Sequence, residues 1–192
     1  MRLTTENHRN AFGESSADDG LLPVAQHWIA GLIHHGSAVT ALARPTLNCY
    51  PDSDNSSDLL NSWTTDSMDR THRLQVHKSN TGVILTDRLP TLASNPYIVL
   101  GALIAAGLDG ILNKLELNDQ ATVILRIPPT FCHALASLEE DKVFENLIGQ
   151  KFVHRFALLK KEYELARLEK WRVETIGQDL LDFERSLYLT SL

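Results

Sequence analysis

The sequence predicts an α+β domain, mostly helical, with a short antiparallel sheet. Three observations predict it. From Asn95 onward, Ile98, Val99, Ala102, Leu103, Ala105, Ala106, Leu108 and Leu112 make one segment apolar nearly all round, as a helix central to the core must be. Between residues 150 and 171, Phe152, Phe156, Leu159 and Tyr163 recur at the spacing of an amphipathic helix. Residues 73–77 and 83–86 form two short strand-like runs around Ser79-Asn80-Thr81-Gly82, a turn sequence.

The elements follow in order. Residues 1–20, rich in Asn, Ser, Asp and Glu, read as an irregular lead-in, and residues 21–192 as one domain. A helix starts at Leu22 with Pro23 in its first turn, where a missing N–H costs nothing, and stops at His35 before Gly36. Residues 44–69, with the run Asp52-Ser53-Asp54-Asn55-Ser56-Ser57-Asp58, read as a long polar loop. After the strand pair, Asn95 caps the apolar helix and Pro96 takes its first position. Residues 123–127 read as a strand ended by Pro128-Pro129. Thr130 and Asp141 cap two short helices, the second stopping at Gly149. A last helix over 179–189 places Leu180, Phe183, Leu187 and Tyr188 on one side.

A net charge of −6 argues against nucleic acid as a partner, which needs clustered cations. Lys160, Lys161, Arg167, Lys170 and Arg172 do cluster, but Glu162, Glu164 and Glu169 interleave with them, as on a solvated helix face. The most apolar window, residues 97–117, carries Asp109, Lys114 and Glu116 and reads as a buried helix rather than a membrane span. Cys49 and Cys132 fit structural thiols in a reducing cytoplasm. His34 and His35 are adjacent and diverge on a helix, and His72 and His77 fall on opposite faces of a strand, so no metal site is predicted from them.

Several motifs resemble one family. Asn95-Pro96-Tyr97 precedes Ala105-Ala106-Gly107-Leu108-Asp109-Gly110 and Asn113-Lys114-Leu115-Glu116. Arg44-Pro45-Thr46-Leu47-Asn48-Cys49-Tyr50 is similar to N-P-T-x-N-S-Y, and Arg88-Leu89-Pro90 to the end of R-x-E-x-R-L-P. In this order they resemble the glutamine synthetases, over the C-terminal part of the catalytic domain. The resemblance implies a γ-glutamyl phosphate made from glutamate and ATP, then displacement by ammonia or an amine, with magnesium neutralising the phosphates. It also implies that the small β-grasp domain and most metal-ligand segments belong upstream of Met1.

By the same resemblance Arg88 holds the substrate carboxylate through a planar fork. Arg70, in Asp69-Arg70-Thr71 where the family has Asn-Arg-Ser, faces the ATP phosphates. Asp58 falls where the family has a mobile-loop Glu. The departures are as telling. Pro51-Asp52 stand where the family has Lys-Arg, Thr86 where it has a metal-binding Glu, Gln75 where a second phosphate-facing Arg is expected, and Ile84 where another Arg often lies. A hydroxyl is a poor magnesium ligand beside a carboxylate. The expectation is a homologue that does not catalyse the ligase reaction as an isolated chain and serves as a binding, regulatory or structural protein. The alternatives are a subunit of a split ligase completed by another chain, and a truncated relic. A homo-oligomer or a glutamine synthetase-type partner chain is expected, with no nucleic acid and no membrane.

Overall fold

The computed structural model describes residues 12, 21–50, 59–79, 82–117 and 126–174, with the side chains of 78, 79, 82 and 171–174 excepted. Asp52, Asp58, the strand residues 123–125 and the helix expected over 179–189 lie outside them.

Helices dominate. α1 (Pro23–His34) and α2 (Gly36–Ala43) meet at His35, so the helix expected to stop before Gly36 does stop, and a second one, not predicted, begins there. α3 (Pro96–Leu112) is capped as expected, the Asn95 side chain accepting from the amides of Tyr97 at 2.9 Å and Ile98 at 3.4 Å. α4 (Phe131–Glu140) and α5 (Lys142–Ile148) start on the side-chain caps Thr130 and Asp141. Gly149, at φ 101, ends α5 in a conformation few other residues adopt. α6 (Gln150–Lys160), a π-helical turn (Lys161–Leu165) and α7 (Ala166–Glu174) follow as one continuous rod.

The sheet has three strands in the order β1-β2-β3. β2 (His72–Ser79) and β3 (Gly82–Asp87) are the antiparallel pair the sequence predicts, with Gln75 opposite Thr86 and Ser79 opposite Gly82. β1 (Leu60–Thr64) was not expected. It lies in the stretch read as polar loop and runs parallel to β2, making the sheet mixed rather than purely antiparallel. Of the strand expected at residues 123–127, the described part reduces to one bridge between Arg126 and Leu60.

The core lies between the helices and the inner face of the sheet, built from Trp28, Ile29, Leu42, Leu74, Leu89, Phe131, Leu135, Leu138 and Phe144. α1 crosses α3 with backbone in contact. A Cβ on Gly31 would meet the Ala106 carbonyl oxygen at 2.2 Å, one on Gly110 the His27 carbonyl oxygen at 2.0 Å, and one on Gly107 would strike the Trp28 ring at 2.3 Å. Only glycine permits that approach.

Two expectations about burial need correction. α3 is not enclosed all round. Val99, Ala102, Ala106 and Gly110 are buried, while Leu112 (75% exposed) faces outward at one end and Tyr97 (85%) at the other, where it borders a 330 Å³ apolar cavity between α3, α5 and α6. In the C-terminal rod the buried line is Val153, Ala157, Glu164 and Leu168. Leu159 and Tyr163 are exposed: Leu159 already lies off the Val153–Ala157 line within α6, and the π turn then adds a residue and carries the buried line on to Glu164 and Leu168. Lys160 pairs with Glu164 and Lys161 with Glu139 at 2.7 Å, so the charged face is laced by ion pairs. Cys49 is half-buried and Cys132 exposed, so only the first fits a structural thiol. No helix of the described residues is long and apolar enough to cross a membrane.

Candidate functional site

The polar end of the sheet gathers the motif residues. The connection 65–71 leaves β1 at Thr64 and must return alongside itself to start β2 parallel to β1, with no helix to cover it. Its sequence is suited to a fixed loop. Thr64 Oγ1 accepts from the Asp66 amide at 3.1 Å, and Asp66 Oδ1 from the Met68 amide at 2.8 Å. Asp69 Oδ1 takes both the amide (2.8 Å) and the hydroxyl (2.7 Å) of Thr71. Short Asx-type side chains thus hold the turn. The two Thr71 hydrogen bonds keep the Asp69 carboxyl below its ordinary range, helped by His72 and then Arg88. His72 Nε2 stands 3.3 Å from Asp69 Oδ2, and its other ring nitrogen 2.7 Å from Ser62 Oγ.

Arg70 projects from this loop into solvent, and among the described residues its side chain has no hydrogen-bond or ion-pair partner. Arg88 follows β3, its amide bonded to the Arg73 carbonyl at 3.0 Å. Because β3 runs antiparallel to β2, the end of β3 lies beside the start of β2. The charge of Arg88 is accordingly felt by Asp69. Both expected arginines thus belong to one end of the sheet. Thr86, opposite Gln75, is exposed, and Ile84 is 55% exposed on the same strand.

The two flanking motifs also meet. The Thr91 amide donates to the Ala43 carbonyl (3.1 Å), Arg44 Nε to the Leu89 carbonyl (3.3 Å), and the Tyr50 hydroxyl to the Arg44 carbonyl (3.1 Å). Burial pushes the Tyr50 phenol well above its ordinary range, with Arg44 opposing, and lowers Arg44. Cys49 Sγ sits 3.0 Å from Thr46 Oγ1 and 3.3 Å from Thr91 Oγ1.

Two buried clusters escaped the sequence reading. Arg73, fully buried, forks onto Asp87 (Nη2 to Oδ2, 2.7 Å; Nε to Oδ1, 3.1 Å). Its Nη1 donates to the Leu32 carbonyl at 2.9 Å and to Asn61 Oδ1 at 3.2 Å. The hairpin register places residue 73 beside 87 and 88 and could have signalled it. His35, 0% exposed, sits between Asp141 (2.6 Å) and Asp109 (3.1 Å) and stacks on Phe144. A ring donating from both nitrogens satisfies both contacts. Nothing in the local sequence marks it.

The described donors do not fit the magnesium that the resemblance implies. Thr86 offers a hydroxyl, Asp87 is taken by Arg73 and Asp69 by Thr71 and His72. No group of three His, Cys, Asp or Glu among the described residues is arranged for a metal. The exposed Arg70 guanidinium on the polar loop, with Arg88 at the same end of the sheet, fits an oxyanion instead.

Residues 1–176 match the family described as the glutamine synthetase catalytic domain. The chain is similar to lengsin of Homo sapiens, at 29% identity over 85% of this chain and 34% of that protein. It is similar to the glutamine synthetase of Pyrococcus abyssi, at 29% identity over 77% of this chain and 37% of that one. It therefore spans little more than a third of these relatives. A solved structure of GmaS without ligand superposes with a TM-score of 0.73 and 28% identity over 96% of this chain and 42% of that one.

Proposed function

Since this chain belongs to the glutamine synthetase catalytic-domain family, we propose that it is a binding member of that family, taking an oxyanion ligand of the nucleotide-phosphate or carboxylate class and not catalysing ligation by itself. The observation that carries this reading is the polar end of the sheet. The loop that carries Arg70 and the residue after β3, Arg88, both lie at that end, Arg88 near enough to act on Asp69, while position 86, on β3 two residues before Arg88, holds an exposed threonine. Phosphoryl transfer to glutamate places several negative charges at one point, and guanidinium groups without a divalent cation hold them but do not neutralise them for transfer. The arginines therefore support binding and the threonine argues against turnover. A split ligase completed by another chain is the second reading. It draws on the chain's limited span, 34% of lengsin and 37% of the archaeal enzyme, and it would still have to supply a carboxylate in place of Thr86.

Thermal unfolding with ATP tests the reading, with and without magnesium. A ligand at a hundredfold excess over its dissociation constant stabilises by about 2.7 kcal/mol. A rise in midpoint that needs no magnesium and disappears in Arg70→Ala is expected. No rise at millimolar ATP, or a rise that Arg70→Ala keeps, would refute it.

A further inference from the structure

Resting on the reading of Arg70 as an oxyanion-binding group, we propose that Gln75 is its positioning residue: the Gln75 carboxamide latches the 65–71 crossover in the conformation that presents Arg70 to a phosphate-class ligand. The crossover turns three carbonyls toward the sheet, and each needs a donor once it is shielded from water. Gln75 Nε2 supplies all three, reaching the carbonyls of Asp69 at 2.9 Å, Asp66 at 3.2 Å and Ser67 at 3.3 Å. Carbonyls only accept, so the nitrogen end of the amide must be the one facing them. Two N–H groups shared among three acceptors hold the loop at three points, and no other described residue donates to those oxygens.

Gln75 is 4% exposed and lies mid-row in the sheet, with Thr64 beside it on β1 and Thr86 on β3. It is roofed by the loop and cannot touch a ligand in solvent. Its effect must pass through the loop. The outer side of the same loop is held by Asp66 on the Met68 amide and by Asp69 on Thr71. Arg70 stands between two pinned residues, with its backbone fixed and its guanidinium in solvent. A cation on a fixed backbone loses less freedom on binding than one on a mobile loop. At the position where the resemblance leads one to expect a phosphate-facing arginine, this chain has a residue that works on the arginine five positions earlier.

The test uses the full chain with tripolyphosphate as probe. Gln75→Met keeps the length of the side chain and removes every donor, and Gln75→Lys restores donors without the amide. Titration calorimetry gives affinity, and hydrogen exchange reads the Met68 and Thr71 amides. Gln75→Met should speed exchange at both amides at least tenfold and weaken tripolyphosphate by a similar factor, and Gln75→Lys should recover both. Normal exchange in Gln75→Met overturns the latch, whatever the affinity. If wild type and Arg70→Ala bind tripolyphosphate equally, or neither binds, the reading of Arg70 fails instead. The latch on the loop is then judged by exchange alone, with slow exchange in wild type and fast exchange in Gln75→Met upholding it. Should Gln75→Met not fold, Gln75→Lys decides: exchange and affinity that are kept together or lost together support the latch, and a change in one with the other at its wild-type value overturns it.

Discussion

One helix gives two substitutions of opposite sign. Gly101 and Gly110 both lie inside α3, and replacing an interior helical glycine with alanine ordinarily gains about 1 kcal/mol. A Cβ at Gly101 meets nothing within 4 Å, so Gly101→Ala should keep that gain. A Cβ at Gly110 would lie 2.0 Å from the His27 carbonyl oxygen and 2.7 Å from the Gly31 amide nitrogen, all backbone of α1. Ordinary contact begins at 3.4 Å, so α1 and α3 must separate by more than an ångström. Such a gap forfeits much of the dispersion between packed surfaces, and overpacking of this kind costs roughly 1–3 kcal/mol. Taking the upper end and subtracting the propensity gain leaves a net loss of about 2 kcal/mol. For a chain of this size 1 kcal/mol moves the thermal midpoint by about 2–4 °C. Gly110→Ala should therefore melt about 4–8 °C below wild type and Gly101→Ala about 2–4 °C above it, followed by circular dichroism. A Gly110→Ala protein at or above the wild-type midpoint would refute backbone contact between α1 and α3. A destabilised Gly101→Ala would show that something covers that face of α3.

Three further outcomes are expected. His35→Leu strands the carboxylates of Asp109 and Asp141 without their shared partner and should cost roughly 3–5 kcal/mol in urea unfolding, a loss under 1 kcal/mol counting against the buried triad. Asp69, whose folded carboxyl is held below the ordinary carboxylate range by its Thr71 hydrogen bonds, adds stability that is present above that ordinary range and lost as pH falls through its lower folded value. The Thr71 amide should accordingly stay slow to exchange at pH 4, and fast exchange there would contradict the Asp69 contacts. Tyr50, pushed up by burial, adds stability that is intact below pH 10 and lost above it as the unfolded phenol ionises first. Ultraviolet titration should show one tyrosine resisting ionisation until the chain unfolds, and four tyrosines titrating together in the folded protein would refute its burial.

What was legible in the sequence was local. Asn95, Thr130 and Asp141 announce helix starts because a cap acts on amides two or three residues away. The pairing of β2 with β3, Ser79 opposite Gly82, was legible for the same reason, since the two strand runs are adjacent in sequence. β1 was missed because Leu60-Asn61-Ser62-Trp63-Thr64 is polar at its centre, and its neighbour on the sheet is fixed by a loop rather than by alternation. Arg73 was missed because arginine is ordinarily exposed, and its acceptors come from α1, β1 and β3. The partners of His35 lie 74 and 106 residues away. Arg70 and Arg88 were legible as residues through the family motifs, but the role of Gln75 was not. It depends on three carbonyls of a crossover whose path follows from β1.

The most direct measurement is γ-glutamyl hydroxamate formation from glutamate, ATP, magnesium and hydroxylamine by the purified chain. The prediction is no hydroxamate above the blank under conditions where ATP raises the unfolding midpoint. Hydroxamate that accumulates with time and is lost in Arg88→Ala would contradict it, and would mean that this chain performs the ligase chemistry with a threonine at position 86.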